Sequence, residues 1–101
     1  MATVTSKALF RGAASTSSTT LYTVPASTTT VVTNIAVTNT VTADATFTLL
    51  LDDVSIGTTV TVGGFDTTVI DLKQALATTK TIKGLASAVT VNFHISGVEI
   101  V

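Results

Sequence analysis

Residues 31–51, VVTNIAVTNTVTADATFTLLL, decide the fold of this chain. Apolar and polar positions alternate along 31–41, where the odd-numbered residues form the more apolar face. The alternation resumes with Phe47, Leu49 and Leu51 on one face. A period of two residues is typical of a β-strand that buries one side. Two such strands in succession predict an antiparallel sheet.

The same signals recur along the rest of the chain. Further short strands are predicted at residues 21–24, 56–62, 67–72 and 79–83. Turns are predicted at Pro25, Asp52-Asp53, Gly63-Gly64 and Gly84. Gly63 and Gly64 are expected to supply positive φ angles. Gly84 is expected to close the last short strand. About eight short strands separated by turns predict an all-β chain, a single antiparallel β-sandwich with jelly-roll or immunoglobulin-like topology. An open barrel is the alternative.

Only residues 71–76, DLKQAL, have helical spacing, since Leu72, Ala75 and Leu76 fall on one helical face. The threonines that follow disfavour a long helix. A single helical turn at most is predicted here.

The last segment changes its pattern at a glycine. Apolar residues occupy odd positions from Val89 to Ile95, but after Gly97 they occupy the even positions Val98 and Ile100. A one-residue change of phase predicts a β-bulge at Gly97. The alternative is that the chain turns at Ser96-Gly97 and begins a separate strand.

The N-terminal residues differ from the rest. Residues 2–10 alternate loosely, and residues 11–20, RGAASTSSTT, are small and polar. We therefore expect residues 1–18 to form an N-terminal arm or edge strand with a small-polar join, which contacts a neighbour. Residues 19–101 are expected to form the β-sandwich domain.

Composition excludes several classes of function. The 101 residues are 46% hydrophobic and 11% charged, with 24 threonines, 14 valines and no cysteine; about 25% charged residues is usual. A net charge of -1 offers no basic surface for nucleic acid. The longest apolar runs have about three residues, so no membrane-spanning helix is expected, and the chain is expected to be cytoplasmic when made. The absence of cysteine excludes disulfides and thiolate sites.

Titratable residues give weak signals for chemistry. His94 and Ser96 lie on the same strand face about 7 Å apart, which does not suit a hydrolytic Ser–His pair. The acids, nearly all at predicted strand ends, are Asp44, Asp52, Asp53, Asp66, Asp71 and Glu99. Asp52 and Asp53, with Asp44, are candidate calcium ligands by residue type, but no D-x-D-x-D-G loop occurs. The Gly63-Gly64-Phe65 stretch is a turn and lacks a phosphate-loop pattern. No catalytic, cofactor-binding or metal-binding residue is predicted, and no cofactor.

Four of the five aromatic residues separate into two groups. Phe47 and Phe93 lie in strand interiors and are predicted to be core residues. Tyr22 and Phe65 are the candidates for an exposed sugar-binding surface, since carbohydrate-binding modules usually display aromatic side chains.

Long uncharged stretches favour self-association. No charged residue occurs from Gly12 to Ala43, and only His94 can carry charge between Gly84 and Val98. Isolated sheets usually protect their edges with lysine, proline or inward charges. We therefore expect a homo-oligomer with cyclic symmetry and favour a trimer.

Several segments carry a resemblance to a known class of proteins. They are residues 21–26 (LYTVPA), 32–40 (VTNIAVTNT), 46–49 (TFTL), 72–74 (LKQ) and 92–100 (NFHISGVEI). Over residues 20–101 the chain resembles small β-sandwich virion structural proteins of tailed bacteriophages, of the decoration, head-fibre or tail-associated type. It departs from them at Ala77-Thr78, where related sequences often have a glycine.

The resemblance implies a non-enzymatic virion structural protein, assembled in the host cytoplasm. It would bind the capsid, as a decoration or reinforcement protein, or the tail or neck surface, as a homo-oligomer. Its partners would be further copies of itself and the major capsid or another virion protein, with no nucleic acid and no membrane. The alternative is a carbohydrate-binding or host-adhesion module displayed on the virion.

Overall fold

The computed structural model describes residues 3–101, in which the chain forms eight β-strands and no helix. The strands are β1 (Val4–Ala13), β2 (Thr19–Thr23), β3 (Thr29–Asn39), β4 (Ala45–Leu51), β5 (Val54–Val62), β6 (Thr67–Leu76), β7 (Thr81–Ala86) and β8 (Val91–Ile100). The predicted all-β class and β-sandwich are confirmed.

The strand order identifies the topology as a jelly roll. One four-stranded sheet has the order β1-β8-β3-β6, and the other has the order β2-β7-β4-β5. All pairings are antiparallel, and only β4 and β5 are consecutive strands within one sheet. An immunoglobulin-like sandwich would instead place its first, second, fifth and fourth strands together. The order therefore selects the jelly roll from the two predicted topologies.

Antiparallel pairing places the connections at the two ends of an elongated molecule, 49 Å in its longest dimension. The four-loop end holds the connections at residues 14–18, 40–44, 63–66 and 87–90. The three-loop end holds those at residues 24–28, 52–53 and 77–80. Asp52 and Asp53 have positive φ angles of 55° and 60° in the predicted turn.

The core lies between the two sheets and is formed by alternate residues of the strands. Ala45, Phe47, Leu49 and Leu51 of β4 all point inward and are buried. The Phe47 ring packs edge-to-face against that of Phe93, with 6.3 Å between ring centroids. Both predicted core aromatics are thus confirmed as core residues, since each is at most 1% exposed.

A row of β-bulges crosses the first sheet, but the extra residues lie on strands other than β8. Leu9 is the extra residue of β1 and Thr33 that of β3, each opposite the same part of β8. The predicted bulge on β8 is therefore wrong, and so is the separate strand after Gly97. β8 keeps its odd residues inward as far as Glu99, which pairs with the buried Thr30. Val98 and Ile100 point outward because β8 does not change phase.

The phase change occurs instead in β3. Its inward residues are Thr30 and Val32 before the bulge, and Ile35, Val37 and Asn39 after it. The prediction that all odd positions from 31 to 41 share one face is therefore wrong for the first part of the strand. An extra residue reverses the facing of every residue beyond it.

Residues 71–76 do not form the predicted helical turn. They continue β6, and its register with β3 shifts between Asp71 and Gln74, so that Leu72 and Lys73 oppose Thr33. The spacing of Leu72, Ala75 and Leu76 suits one face of a helix, but pairing with β3 places the segment in a strand. The structure stays within the predicted limit of one helical turn at most, because tertiary pairing overrides the local helical spacing.

Two predictions about glycines are also wrong. Neither Gly63 nor Gly64 has a positive φ; Phe65 has one, of 54°. Gly64 is required for a different reason, since a Cβ atom there would lie 1.9 Å from the Thr42 carbonyl oxygen. Gly84 does not close a strand but lies buried within β7.

The N-terminal residues form part of the sandwich. β1 is the edge strand of the first sheet and pairs with β8 from Val4 to Ala13. Residues 14–18 then cross to the second sheet, where β2 is also an edge strand. Met1 and Ala2, the first residues of the predicted segment 1–18, lie outside the described residues. Contact of this segment with a neighbour remains a prediction.

Candidate functional site

His94 lies on the outer face of the first sheet, where its side chain is exposed. Its neighbours in register are Arg11 on β1 and Ala36 on β3. Within residues 3–101 no side-chain hydrogen bond joins His94 to Ser96 or to a carboxylate. A hydrolytic triad needs a base that is held against the nucleophile by an orienting acid. His94 is therefore not hydrogen-bonded to a serine nucleophile, and no carboxylate orients its ring.

The acidic side chains serve local contacts in the fold. Asp44 accepts a hydrogen bond from the Gly64 N–H at 3.1 Å, and Asp71 accepts one from the Asn34 amide at 3.1 Å. The pairs Asp52–Lys80 and Asp53–Lys83 have N···O distances of 3.6 Å and 2.7 Å. The hydrogen bond from Lys83 lowers the pKa of Asp53.

The arrangement weighed for calcium is not formed. Asp44 lies at the four-loop end and Asp52 and Asp53 at the three-loop end, separated by the length of β4. Seven strand residues span about 23 Å, far beyond the reach of one ion. Within the described part of the chain, no group of three potential ligand side chains is placed to hold a metal.

A partly buried polar cluster joins the two sheets near the three-loop end. The Tyr22 hydroxyl of β2 donates a hydrogen bond to Glu99 Oε2 of β8, and the Thr30 hydroxyl lies 2.8 Å from the same Tyr22 oxygen. Lys7 Nζ donates to Glu99 Oε1 at 3.3 Å. Burial, and next the hydrogen bond with Glu99, raise the pKa of Tyr22 to about 12. The same hydrogen bond lowers the pKa of Glu99.

The two aromatic candidates for sugar binding have different environments. Tyr22 packs against the hydrophobic core and its hydroxyl is engaged with Glu99, so it offers little free surface. Phe65 is 70% exposed in the turn between β5 and β6. Only Phe65 could therefore act as an exposed aromatic contact.

Phe65 belongs to an exposed apolar tip at the four-loop end, formed by Val41, Phe65 and Val89. The other two side chains are 37% and 63% exposed. Backbone hydrogen bonds tie the three loops together, from the Phe65 N–H to the Val41 oxygen at 2.9 Å and from the Thr40 N–H to the Thr90 oxygen at 3.2 Å. We call these three side chains the apolar tip.

The support beneath the apolar tip is built from buried polar contacts. The fully buried Asn39 donates its amide to the Ala43 oxygen at 2.6 Å and accepts the Val41 N–H at 3.3 Å. Gly64 packs closely on Thr42, as described above. Thr90 Oγ1 is buried and has no hydrogen-bond partner among residues 3–101. The sequence signal for this region is the Gly63-Gly64-Phe65 stretch, which predicts only a simple turn.

Three further features of the surface are an apolar patch, a groove and an uncharged edge strand. The outward residues Val4, Val31, Val98 and Ile100 adjoin one another in register on the first sheet, and we call them the outer apolar patch. Beside it, an open groove of about 470 Å³ is lined by Thr33, Asp71, Leu72 and Lys73 at the bulge of β6. The uncharged stretch 12–43 includes β2, an edge strand without a formal charge.

No helix within residues 3–101 has the length and apolar character needed to cross a membrane. No protein-family model matches the chain, and no curated protein matches it. Among solved structures, the chain is similar to a chain of the acidic stable capsid structure of Helicobacter pylori bacteriophage KHP30. The likeness has a TM-score of 0.58 at 11% sequence identity and covers 100% of this chain and 94% of that one. At this identity, the likeness shows that the two chains share a fold.

Proposed function

We propose that this chain is a non-enzymatic structural protein of a bacteriophage virion. It binds the capsid, as a decoration or reinforcement protein, or the tail or neck surface, and it does so as a homo-oligomer. The observation that carries the proposal is the fold shared with a chain of a phage capsid structure over 100% of this chain. The virion is accordingly its proposed location.

The environment of the titratable groups supports a structural role over an enzymatic one. Within residues 3–101, His94 has no carboxylate partner, and the acids are engaged with lysines, amides or backbone N–H groups. Acid–base catalysis requires groups that converge on one reacting centre. The charged groups here are dispersed over both ends of the sandwich.

Self-association is proposed to use the outer apolar patch. Val4 is 63% exposed and pairs with Ile100, and beside them the half-buried Val98 and Val31 pair with each other. Burial of apolar area stabilises such a contact with little dependence on salt. A closed trimer is the favoured assembly.

Light scattering at micromolar concentration tests the oligomer. We expect a multimer at low salt and at about 1 M salt, where the Debye length is near 3 Å. A particle with the chain mass of 10.3 kDa at both salt concentrations would refute self-association. A multimer that dissociates at high salt would indicate a charged interface.

Cryo-electron microscopy of the phage particle that encodes the chain tests the function itself. The expected result is ordered density for the jelly roll on the head, tail or neck surface, at a stoichiometry that fits the local symmetry. Mass spectrometry of purified particles provides a second readout. Absence of the chain from washed, intact particles by both methods would reject the proposal.

A carbohydrate-binding or host-adhesion module is the second candidate, and the exposed Phe65 is the observation that favours it. Aromatic rings at loop tips are common platforms for sugar rings. Binding of the chain to a glycan array, lost on Phe65→Ala and retained on Tyr22→Ala, would favour adhesion over reinforcement.

A further inference from the structure

The conformation of Phe65 opposes stability in the isolated chain. Its φ of 54° lies in the left-handed region, which is sterically unfavourable for a bulky side chain and is favoured by glycine and asparagine. The side chain recovers little through burial, since it is 70% exposed. Of the non-glycine residues with positive φ among residues 3–101, Phe65 alone exposes a large apolar side chain, and this combination points to a role outside the isolated fold.

The surroundings hold Phe65 in place. The preceding Gly64 has its N–H bonded to Asp44 and its Cα pressed on Thr42, while the Phe65 N–H bonds to Val41. The buried Asn39 fixes the neighbouring loop. A side chain that is already ordered loses little conformational entropy on binding, which favours affinity.

Charge at the four-loop end limits the kind of partner. The carboxylates of Asp44 and Asp66 both lie beside Gly63. A Cβ atom added to Gly63 would be 3.9 Å from Asp44 Oδ1 and 3.6 Å from Asp66 Oδ2. Neither carboxylate forms an ion pair with a cation of residues 3–101. The four lysines lie in β1, β6, β7 and the 77–80 loop. Counted along the strands, the cation nearest to the four-loop end is Arg11, near the end of β1.

A second copy is a poor partner for this surface in a tip-to-tip arrangement. Two apolar tips in contact would bring four carboxylates together with no cation between them, and like charges at an interface oppose association. Phe65 is exposed at a loop tip, and Val41 and Val89 are exposed on the two other loops that the backbone hydrogen bonds connect; an exposed apolar set of this kind suits a pocket in another protein.

We propose that the apolar tip is the anchor by which this chain docks onto a different virion protein, inserting Phe65 into an apolar pocket bordered by lysine or arginine side chains. The inference rests on the proposed virion function and specifies its contact surface. Self-association through the outer apolar patch leaves this end free.

Binding of purified chain to phage particles from which it has been removed tests the proposal. Phe65→Asn removes the ring and suits the left-handed conformation, so the variant should melt at or above the wild-type temperature while its affinity falls about 30-fold, the loss expected of an interface hot spot. Thr79→Asn is the matched control, since Thr79 has a φ of 72° at the opposite end. It should bind like wild type.

A charge variant tests the chemistry of the partner. In Asp44→Asn with Asp66→Asn, the amide oxygens can still accept the backbone N–H groups, but the charges are removed. We expect several-fold weaker binding at low salt and convergence with wild type at high salt. Equal affinity of the double variant and wild type at low salt would contradict the proposal that lysine or arginine side chains border the pocket.

The outcomes separate the two proposals. Equal binding by wild type and Phe65→Asn would overturn the docking role of the tip while leaving the virion function in place. Failure of wild type itself to bind would reject the virion function, and the docking proposal with it. Loss of glycan-array binding in Phe65→Asn, without an effect on particle binding, would assign the tip to a carbohydrate instead.

Discussion

Replacing Tyr22 with phenylalanine removes one oxygen atom from the polar cluster that joins the two sheets. That oxygen donates to the Glu99 carboxylate and contacts the fully buried Thr30 hydroxyl at 2.8 Å. A hydrogen bond to a charged group contributes about 1.5–3 kcal/mol, and the buried Thr30 hydroxyl loses a partner as well. We expect Tyr22→Phe to lower the free energy of unfolding by about 2–3 kcal/mol at pH 7.

The size of this effect should depend on pH in a defined direction. Because the pKa of Glu99 is lowered in the folded chain, its stabilisation is present above the unfolded pKa and is lost as the pH falls through the folded pKa. Because the pKa of Tyr22 is raised to about 12, its contribution is present below about 10 and is lost as the pH rises through 12. The difference between wild type and variant should therefore be largest near neutral pH.

Urea denaturation of wild type and Tyr22→Phe, followed by circular dichroism at pH 3, 7 and 9, measures the change in the free energy of unfolding. In thermal denaturation at pH 7, the melting temperature of Tyr22→Phe should be lower than that of wild type by roughly 10–20 °C. Thr38→Val is the control, since it removes an exposed Thr38–Thr67 hydroxyl contact of 3.1 Å and should change stability by at most about 0.5 kcal/mol. A loss below about 0.5 kcal/mol for Tyr22→Phe, or one equal at all three pH values, would refute the reasoning.

Three further substitutions test the packing, each by urea denaturation. Gly64→Ala should cost more than about 3 kcal/mol or prevent folding, because its Cβ would lie 1.9 Å from the Thr42 oxygen; a stable variant would contradict this close approach. Thr90→Val should raise the free energy of unfolding by about 1 kcal/mol, because it removes a buried hydroxyl that has no partner among residues 3–101; a decrease would show that the hydroxyl is satisfied. In a double-mutant cycle, Phe47→Leu and Phe93→Leu should couple by about 0.5–1.5 kcal/mol through the edge-to-face contact; strict additivity would exclude it.

Some features of the candidate site follow from local sequence and others do not. The Asp52-Asp53 turn and the core positions of Phe47 and Phe93 are local consequences of turn chemistry and alternation. The left-handed conformation of Phe65 was not predicted, because two adjacent glycines were the expected carriers of positive φ. Gly64 is instead required by the 40–44 loop, which is distant in sequence and packs on it only in the folded chain.

By itself, the sequence determined that this chain is all-β, since period-two alternation is a property of each strand alone. The tertiary structure decided which strands pair and where each strand changes phase. Val98 and Ile100 point outward because β1 and β3, and not β8, carry the extra residues. A bulge is defined only by comparison with a partner strand, so it cannot be located in one strand's pattern. The choice of jelly roll over immunoglobulin-like topology likewise rests on pairings between strands far apart in sequence, which no local pattern specifies.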